Sequence, residues 1–201
     1  MKKLKVESGV IIGYCASEKR SPSYVLFATI NPFIINYVLT HRAVVDLKIR
    51  IMNGSDLNEA SLVHQAAFPR QSFSYEWLEC NLKAYPRFLS FVAEINNQIV
   101  GYIVWAQKSG FRAEAVLELE QLAVSPQFQG QGIGRNLIEK SLPLVKEELA
   151  LRNSKLKHIM VTTRADNHAQ ALYKSTLGAE VEATISNLYS ADEVLMIARN
   201  V

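Results

Sequence analysis

One glycine-rich segment constrains this chain more than any other, the stretch from Leu122 to Ile138. It reads LAVSPQFQGQGIGRNLI, so an apolar, strand-like run ends at Ser125-Pro126 and glycines follow. An amphipathic helix is predicted from about Gly132 to Ala150. Glycine permits positive φ and close approach of the backbone to a ligand. The N–H groups at the helix start would then point into one concavity, where the helix dipole favours an anion. The segment therefore predicts a binding site for a pyrophosphate group.

Spacing excludes two well-known phosphate-binding loops. A P-loop requires Gly-Lys followed by Ser or Thr, whereas Gly134 is followed by Arg135. A dinucleotide fingerprint requires a third glycine three residues after the second, and that place holds Arg135 or Leu137. What remains is the pattern Gln129-x-x-Gly132-x-Gly134. The structural alternative is a glycine-rich turn that only links the strand to the helix.

A second pattern lies between residues 167 and 179, which read NHAQALYKSTLGA. Asn167 is a favourable N-cap for a short helix, and Gly178 is a favourable residue to end it. Tyr173 then lies near the middle of that helix. Two plainer interpretations stay open: Asn167 only caps the helix, and Tyr173 only fills the core.

The two patterns together resemble the two signatures of the GNAT superfamily of acetyl-CoA-dependent N-acetyltransferases. Two motifs in the right order and on the right elements are more specific than either alone. This sequence departs from the second signature at Ala179, where Phe is usual, and by one extra residue before Gly178. The resemblance covers about residues 45–201.

The order of predicted elements agrees with this resemblance: strand, two helices, three strands, helix, strand, helix, two strands. The resemblance implies an α/β (α+β) protein with the GNAT fold, a twisted, mixed and mostly antiparallel sheet flanked by helices. Its fourth strand, Glu114 to Val124, and its fifth, His158 to Thr163, are expected to run parallel and to splay apart so that they admit the cofactor.

Composition excludes several other classes. Of the 201 residues, 49% are hydrophobic and 20% charged, which is typical of a globular chain. A net charge of +3 without blocks of like charge gives little support to a nucleic-acid or membrane-surface role. Cys15 and Cys80 form no disulfide framework, and no metal spacing joins them to the four histidines. We therefore expect a cytoplasmic protein without a metal.

Residues 1–44 are interpreted as an N-terminal extension of unknown role, and residues 45–201 as the acetyltransferase domain. The apolar run Tyr24 to Leu39 is interrupted by Asn31 and Pro32 and is too short to span a membrane. It is expected to pack on the domain or on a second subunit of a homodimer. A translation start assigned too far upstream is an open alternative.

The resemblance also implies which residues hold acetyl-CoA. The glycine-rich loop would bind the pyrophosphate, the fourth strand would offer a backbone N–H to the thioester carbonyl, and the second motif would lie beside both. The expected cofactor-binding residues are Leu122, Ala123, Val124, Gln129, Gly130, Gln131, Gly132, Ile133, Gly134, Arg135, Asn167 and Tyr173.

Aminolysis of a thioester needs a neutral amine and a stabilised leaving thiolate. By resemblance, Tyr173 is the hydroxyl that donates to the departing sulfur. Glu118 and Glu120 alternate on the fourth strand, and either is a candidate base that relays the amine proton through water. The alternative is that both are structural carboxylates. Peptide acetyltransferases of the superfamily often place Glu or His on the fifth strand, where this chain has Thr162.

The acceptor is open between a peptide or protein amine and a small-molecule amine. Phe68 precedes Pro69 before a tryptophan-containing helix, and Tyr189 lies between the last two strands. Both positions are similar to those that flank the peptide in N-terminal peptide and ribosomal-protein acetyltransferases, so both residues are predicted to bind the acceptor. A non-catalytic acyl-CoA sensor or interaction module is the alternative of another class.

Three further expectations concern the first two helices of the domain. Trp77 is predicted to face inward on its helix, while His64 is expected at the surface or as a helix cap. Asp56 and Glu59 are predicted to form a capping box at the start of the first helix of the domain.

Overall fold

The computed structural model describes residues 4–7, 10–13 and 46–201, and it divides the chain into two compact units, Met1–Val45 and Asp46–Val201. In the first unit, strands β1 (Leu4–Glu7) and β2 (Val10–Gly13) pair antiparallel, a hairpin that the sequence analysis did not predict. The apolar run from Tyr24 to Leu39 lies outside the described residues. The extension and its role therefore stay a prediction.

The second unit contains seven strands and four α-helices. Its strands are β3 (Leu47–Ile51), β4 (Phe88–Ile95), β5 (Gln98–Lys108), β6 (Glu114–Val124), β7 (Lys155–Arg164), β8 (Glu180–Ile185) and β9 (Glu193–Arg199). Its helices are α1 (Leu57–Ala67), α2 (Ser74–Lys83), α3 (Ile133–Ala150) and α4 (Ala169–Leu177). This is the predicted order of elements, with ends shifted by up to three residues.

The seven strands form one mixed sheet in the order β3-β4-β5-β6-β7-β9-β8. All neighbours are antiparallel except β6 and β7, which α3 connects as a parallel pair. Local chemistry explains the tightest hairpin: Asn96 and Asn97 both adopt positive φ, 51° and 62°, as a two-residue turn between β4 and β5 requires. The predicted fold class is therefore confirmed.

Each face of the sheet has its own apolar core. On one face, α3 buries Leu137, Val145 and Leu149 in a cluster that also contains Tyr173 of α4. On the other face, α1 and α2 bury Val63 and Leu78 against β4, β5 and β6. The helices thus cover the sheet from both sides, as its apolar strands require.

Strand β6 carries a β-bulge at Glu120. Val104 of β5 pairs with Gln121 and Trp105 pairs with Leu119, so Glu120 has no partner on β5. The inserted residue reverses the alternation of side chains: Leu119 packs with the α3 cluster, whereas Ala123 packs with the α1–α2 cluster. A bulge has this effect because one extra residue shifts the two-residue period of a strand.

The predicted capping box at Asp56 and Glu59 is wrong. The box lies one turn earlier, where the Asn53 side chain accepts from the Ser55 N–H and Asp56 accepts from the Asn53 N–H. Asp56 also forms an ion pair with Arg50 through two hydrogen bonds, which hold the pKa of the Asp56 carboxyl below its usual value.

In the part of the chain that the structure describes, no helix is both long and apolar enough to cross a membrane.

Candidate active site

The loop between β6 and α3 exposes backbone donors at the start of a long helix. Gly130 and Gly132 adopt left-handed φ values of 74° and 79°, a conformation that glycine tolerates best. No side chain caps α3, so its first N–H groups, from Ile133 onward, have no partner within the helix. Eighteen residues of helix stand behind these donors. The arrangement favours an anion at this point, as the sequence predicts.

These donors open into a cleft of about 520 Å³, here called the loop cleft. It is lined by Ala67, Phe68, Leu122, Ala123, Val124, Phe128, Gln129, Gly130, Gly132, Ile133, Gly134, Arg135, Asn167, Ala169, Leu172 and Tyr173. Every predicted cofactor-binding residue except Gln131 is in this lining. The Gln131 side chain donates instead to the Gln127 carbonyl, 3.3 Å away, on the exposed side of the loop.

The loop cleft lies at the end of β6 where that strand leaves its parallel partner. Pairing of β6 with β7 ends at Glu118, opposite Met160, although β6 continues to Val124 and β7 to Arg164. The two strands therefore diverge over their second halves, as predicted. Every second N–H of β6 points away from β5 in an antiparallel pair. Beyond Glu118, these N–H groups of β6 have no pairing partner on β7.

Tyr173 projects from α4 into the lining of the loop cleft and is only 6% exposed. Burial raises the pKa of its hydroxyl to about 12. The phenol is therefore protonated at neutral pH, which makes it a hydrogen-bond donor and not a base. The interpretation of Tyr173 as core packing also holds in part, because its ring belongs to the α3 cluster.

The second motif and the start of α3 are joined by polar contacts. The Asn167 side chain accepts at Oδ1 from the Ala169 N–H at 2.9 Å, and its Nδ2 donates to Thr163 Oγ1 at 2.8 Å. Asn167 thus caps α4 and lines the loop cleft at once. The Arg135 guanidinium donates to Ser175 Oγ at 2.9 Å and to Glu139 at 3.1 Å, so it ties α3 to α4 at the rim.

The two candidate bases differ in their surroundings. Glu118 is ion-paired and hydrogen-bonded: Lys108 Nζ lies 2.7 Å from its Oε2, and the Thr162 hydroxyl donates to its Oε1 at 3.2 Å. Glu120, at the bulge, has no such ion pair among the described residues. Burial, and then the negative charge of Glu118, raise the pKa of Glu120. Neither carboxylate lines the loop cleft itself.

The two predicted acceptor residues lie in different places. Phe68 ends α1, packs against the α1–α2 core and lines the loop cleft. Tyr189 is 77% exposed on the loop between β8 and β9, outside the cleft lining. Arg70 Nη1 lies 3.4 Å from Ser190 Oγ, so the α1–α2 loop and the β8–β9 loop approach each other.

Two side-chain predictions are wrong. Trp77 is 43% exposed, with only its indole N–H turned inward toward Gln121 Oε1 at 3.1 Å. His64 is fully buried and contacts Gln121 and Ser74. The sequence analysis did not identify Gln121, since a single glutamine in a strand does not indicate a buried network.

Among the residues that the structure describes, no three potential metal ligands cluster.

Comparison with known proteins agrees with this geometry. The acetyltransferase (GNAT) family model matches residues 57–179. An uncharacterized N-acetyltransferase from Archaeoglobus fulgidus is 36% identical over 86 residues, 42% of this chain and 55% of that protein. The chain thus matches about half the length of this curated relative.

Solved structures share the fold at low sequence identity. Ard1 from Thermoplasma volcanium aligns with a TM-score of 0.63 and 22% identity, over 78% of this chain and 99% of that one. The ribosomal-protein-S18-alanine N-acetyltransferase from Escherichia coli gives 0.59 and 24%, over 77% and 94%. An aminoglycoside 6'-N-acetyltransferase complexed with coenzyme A gives 0.61 and 16%, over 77% and 97%.

The family match extends from α1 to the end of the second motif and so contains both the glycine-rich loop and Tyr173. The chain therefore belongs to the acetyltransferase (GNAT) family, a family of acyltransferase enzymes.

Proposed function

We propose that this chain transfers an acetyl group from acetyl-CoA to a primary amine by direct attack, without an acyl-enzyme. The observation that carries the proposal is the loop cleft. It brings the free donors of α3, the unpaired edge of β6 and the Tyr173 hydroxyl into one space. A phosphate site, an amide donor and a hydroxyl donor are the groups that a CoA thioester needs.

The residues of the loop fit the phosphates of acetyl-CoA. Gly130 and Gly132 both have left-handed φ values and carry no side chain that would cover the backbone of the loop. The guanidinium of Arg135 adds a positive charge at the rim. These groups would hold the pyrophosphate, and the backbone of Leu122 to Val124 would lie along the chain that leads to the sulfur. When bound, acetyl-CoA supplies the acetyl group as a reactive thioester.

Each catalytic group of the chain then has one task. An unpaired N–H of β6 donates to the carbonyl oxygen as negative charge develops there. The Tyr173 hydroxyl donates to the sulfur as the thiolate leaves. Glu120 accepts the proton of the acceptor amine, through water where the distance requires it. Glu120 suits this task better than Glu118, because Glu118 is already paired with Lys108 and Thr162.

Of the two acceptor classes, a peptide or protein amine is proposed first and a small-molecule amine second. The approach of Arg70 to Ser190 brings together the two loops that would flank a peptide. Both loops carry large exposed aromatic residues, Phe73 and Tyr189. Phe73 also has a φ of 56°, which is unusual for a bulky residue and often marks a functional position. An exposed aromatic pair suits the side chains next to a peptide terminus.

A thiol-release assay tests the proposal directly. The chain is incubated with acetyl-CoA and, separately, with N-terminal peptides, polyamines, aminoglycosides and free amino acids. We expect release of free CoA that depends on the amine and is fastest with a peptide. Faster release with a small amine would assign the second acceptor class. Tight binding of acetyl-CoA without thiol release from any acceptor would support a non-catalytic acyl-CoA-binding module.

Gly132→Ala is expected to weaken CoA binding by about tenfold or more, equivalent to about 1.4 kcal/mol. The reason is that Gly132 lines the loop cleft, where a methyl group would stand in the path of the phosphate. Isothermal titration with CoA measures the effect.

Gly178→Ala is the matched control for this substitution. Gly178 has a similar φ, 69° against 79°, and open space around an added Cβ, but it ends α4 outside the cleft lining. Both variants should lose comparable stability, roughly 1–2 kcal/mol for a left-handed residue. Only Gly132→Ala should lose affinity. Equal CoA affinity in the two variants would refute the assignment of the loop as the phosphate site.

A further inference from the structure

A buried polar network lies directly beneath the bulge of β6, centred on the side-chain amide of Gln121. Gln121 Oε1 accepts from the Tyr102 hydroxyl at 2.7 Å and from the Trp77 indole N–H at 3.1 Å. Gln121 Nε2 lies 3.2 Å from His64 Nε2, and His64 Nδ1 lies 2.8 Å from Ser74 Oγ. All of these residues except Trp77 are less than 9% exposed.

The chemistry of the groups fixes the direction of each hydrogen bond. An indole N–H can only donate, so the amide atom of Gln121 that faces Trp77 must be its oxygen. The amide nitrogen therefore donates to His64 Nε2, which must be an unprotonated acceptor. His64 Nδ1 then carries the proton and donates to Ser74. Burial lowers the pKa of His64, in agreement with this neutral tautomer.

The network connects four elements of the fold at one point. His64 belongs to α1, Trp77 and Ser74 to α2, Tyr102 to β5 and Gln121 to β6. Apolar contacts tolerate small displacements of a strand, but a set of directed hydrogen bonds among buried groups does not, because a displacement leaves donors without acceptors. The network therefore specifies one position of β6 relative to α1, α2 and β5.

The segment of β6 that the network holds in place lies beside the proposed site of acetyl transfer. Gln121 directly follows Glu120, the bulged residue, and directly precedes Leu122, which lines the loop cleft. Without the bulge, Gln121 would share the side of Leu117 and Leu119 and would point into the apolar α3 cluster. Three hydrogen-bonding partners of Gln121 on the α1–α2 side, Tyr102, Trp77 and His64, thus favour the bulged register of the strand.

We infer that Gln121 is a positioning residue, whose buried amide locks the β6 bulge and so holds Glu120 beside Glu118 and the Leu122 backbone on the loop cleft. Through Trp77 and Tyr102, the network ties this geometry to helix α2 and strand β5. The inference rests on the proposed acetyl transfer, because it assigns the bulge a task in that reaction.

Tyr102→Phe tests the inference with the smallest change. It removes one donor to Gln121 and keeps the buried ring. We expect kcat to fall by about tenfold, the usual order for one lost buried hydrogen bond, with the acceptor KM and the CoA affinity within about threefold of wild type. Amide hydrogen exchange of residues 120–122, measured without any ligand, should become faster.

Ser61→Ala is the matched control, since it removes a buried hydroxyl of α1 that donates to the Asn58 carbonyl at 2.7 Å and takes no part in the network. It should leave kcat and the exchange of residues 120–122 within about twofold of wild type. Trp77→Phe removes the other donor to Gln121 from a half-exposed ring, and it replaces Tyr102→Phe as the test if that variant does not fold.

Two outcomes would overturn the positioning role. One is a variant that lacks a donor to Gln121 but shows unchanged exchange at residues 120–122, and the other is an equal loss of kcat in Ser61→Ala. Failure of the proposed function is separate: a wild-type chain that releases no thiol with any amine refutes acetyl transfer. Hydrogen exchange in the unliganded chain would still decide whether the network holds the bulge.

Discussion

Tyr173→Phe is expected to lower kcat by roughly 10- to 10³-fold while CoA binding survives. The substitution removes only a hydroxyl from a side chain that is 6% exposed and packs in the α3 cluster, so the packing of that cluster is kept. The proposed phosphate contacts come from a different segment, the loop and the start of α3. Steady-state kinetics and CoA titration on the same preparation separate the two effects.

Two pKa values explain why the loss of activity should be partial. The pKa of the Tyr173 hydroxyl is about 12, whereas that of a thiol is roughly 8.5. Complete transfer of the proton from tyrosine to the leaving thiolate is therefore unfavourable. In the proposed mechanism, the hydroxyl acts chiefly as a hydrogen-bond donor, and its hydrogen bond strengthens as charge develops on sulfur. Loss of such a donor slows the reaction but leaves a tolerable leaving group, which explains why activity should not disappear.

Tyr85→Phe is the matched control for this variant. Tyr85 is an exposed tyrosine whose hydroxyl donates to Glu148 at 3.1 Å, and it does not line the loop cleft. The same chemical change there should leave kcat unchanged. A Tyr173→Phe variant that folds, binds CoA and turns over at the wild-type rate would reduce Tyr173 to a packing residue.

The parts of the site that the sequence predicted depend on local chemistry. Gly130 and Gly132 lie where φ is positive, and no side chain caps α3, so the exposed donors at the start of this helix can be predicted from adjacent residues. Asn167 and Gly178 bound α4 in the same local manner. The resemblance to GNAT signatures added the long-range step, because it implied that these two segments meet beside a splayed strand pair.

The parts that the sequence did not predict depend on one inserted residue. The run from Glu114 to Val124 alternates up to Leu119, and two consecutive polar residues, Glu120 and Gln121, then shift the apolar positions to Leu122 and Val124. The sequence analysis did not use this shift to locate the bulge, which the structure places at Glu120. Without the bulge, strict alternation would place Gln121 with Leu119, and no reason for a buried glutamine would be visible. The burial of His64 was missed for the same reason, because its partner Gln121 was not assigned to the α1–α2 side of the sheet.

The second large effect is expected for Glu120→Gln. If Glu120 accepts the amine proton, its amide analogue should lower kcat on the order of 10²-fold or more, with a smaller change in the acceptor KM. Glu118→Gln is the matched control, because Glu118 is occupied by Lys108 and Thr162 and should lose much less. Near-wild-type rates in both variants would show that another group or bulk water removes the proton.

The pH dependence of kcat distinguishes the base further. Burial and the charge of Glu118 raise the pKa of Glu120, whereas the positive charges of Lys108 and Arg87 lower it. A base works when deprotonated, so kcat should fall as the pH drops through the raised pKa of Glu120. Glu118→Gln removes a negative neighbour and should move this acidic limb to lower pH, while Lys108→Gln should move it to higher pH. Shifts in the same direction, or none, would assign the limb to a group other than Glu120, such as the acceptor amine.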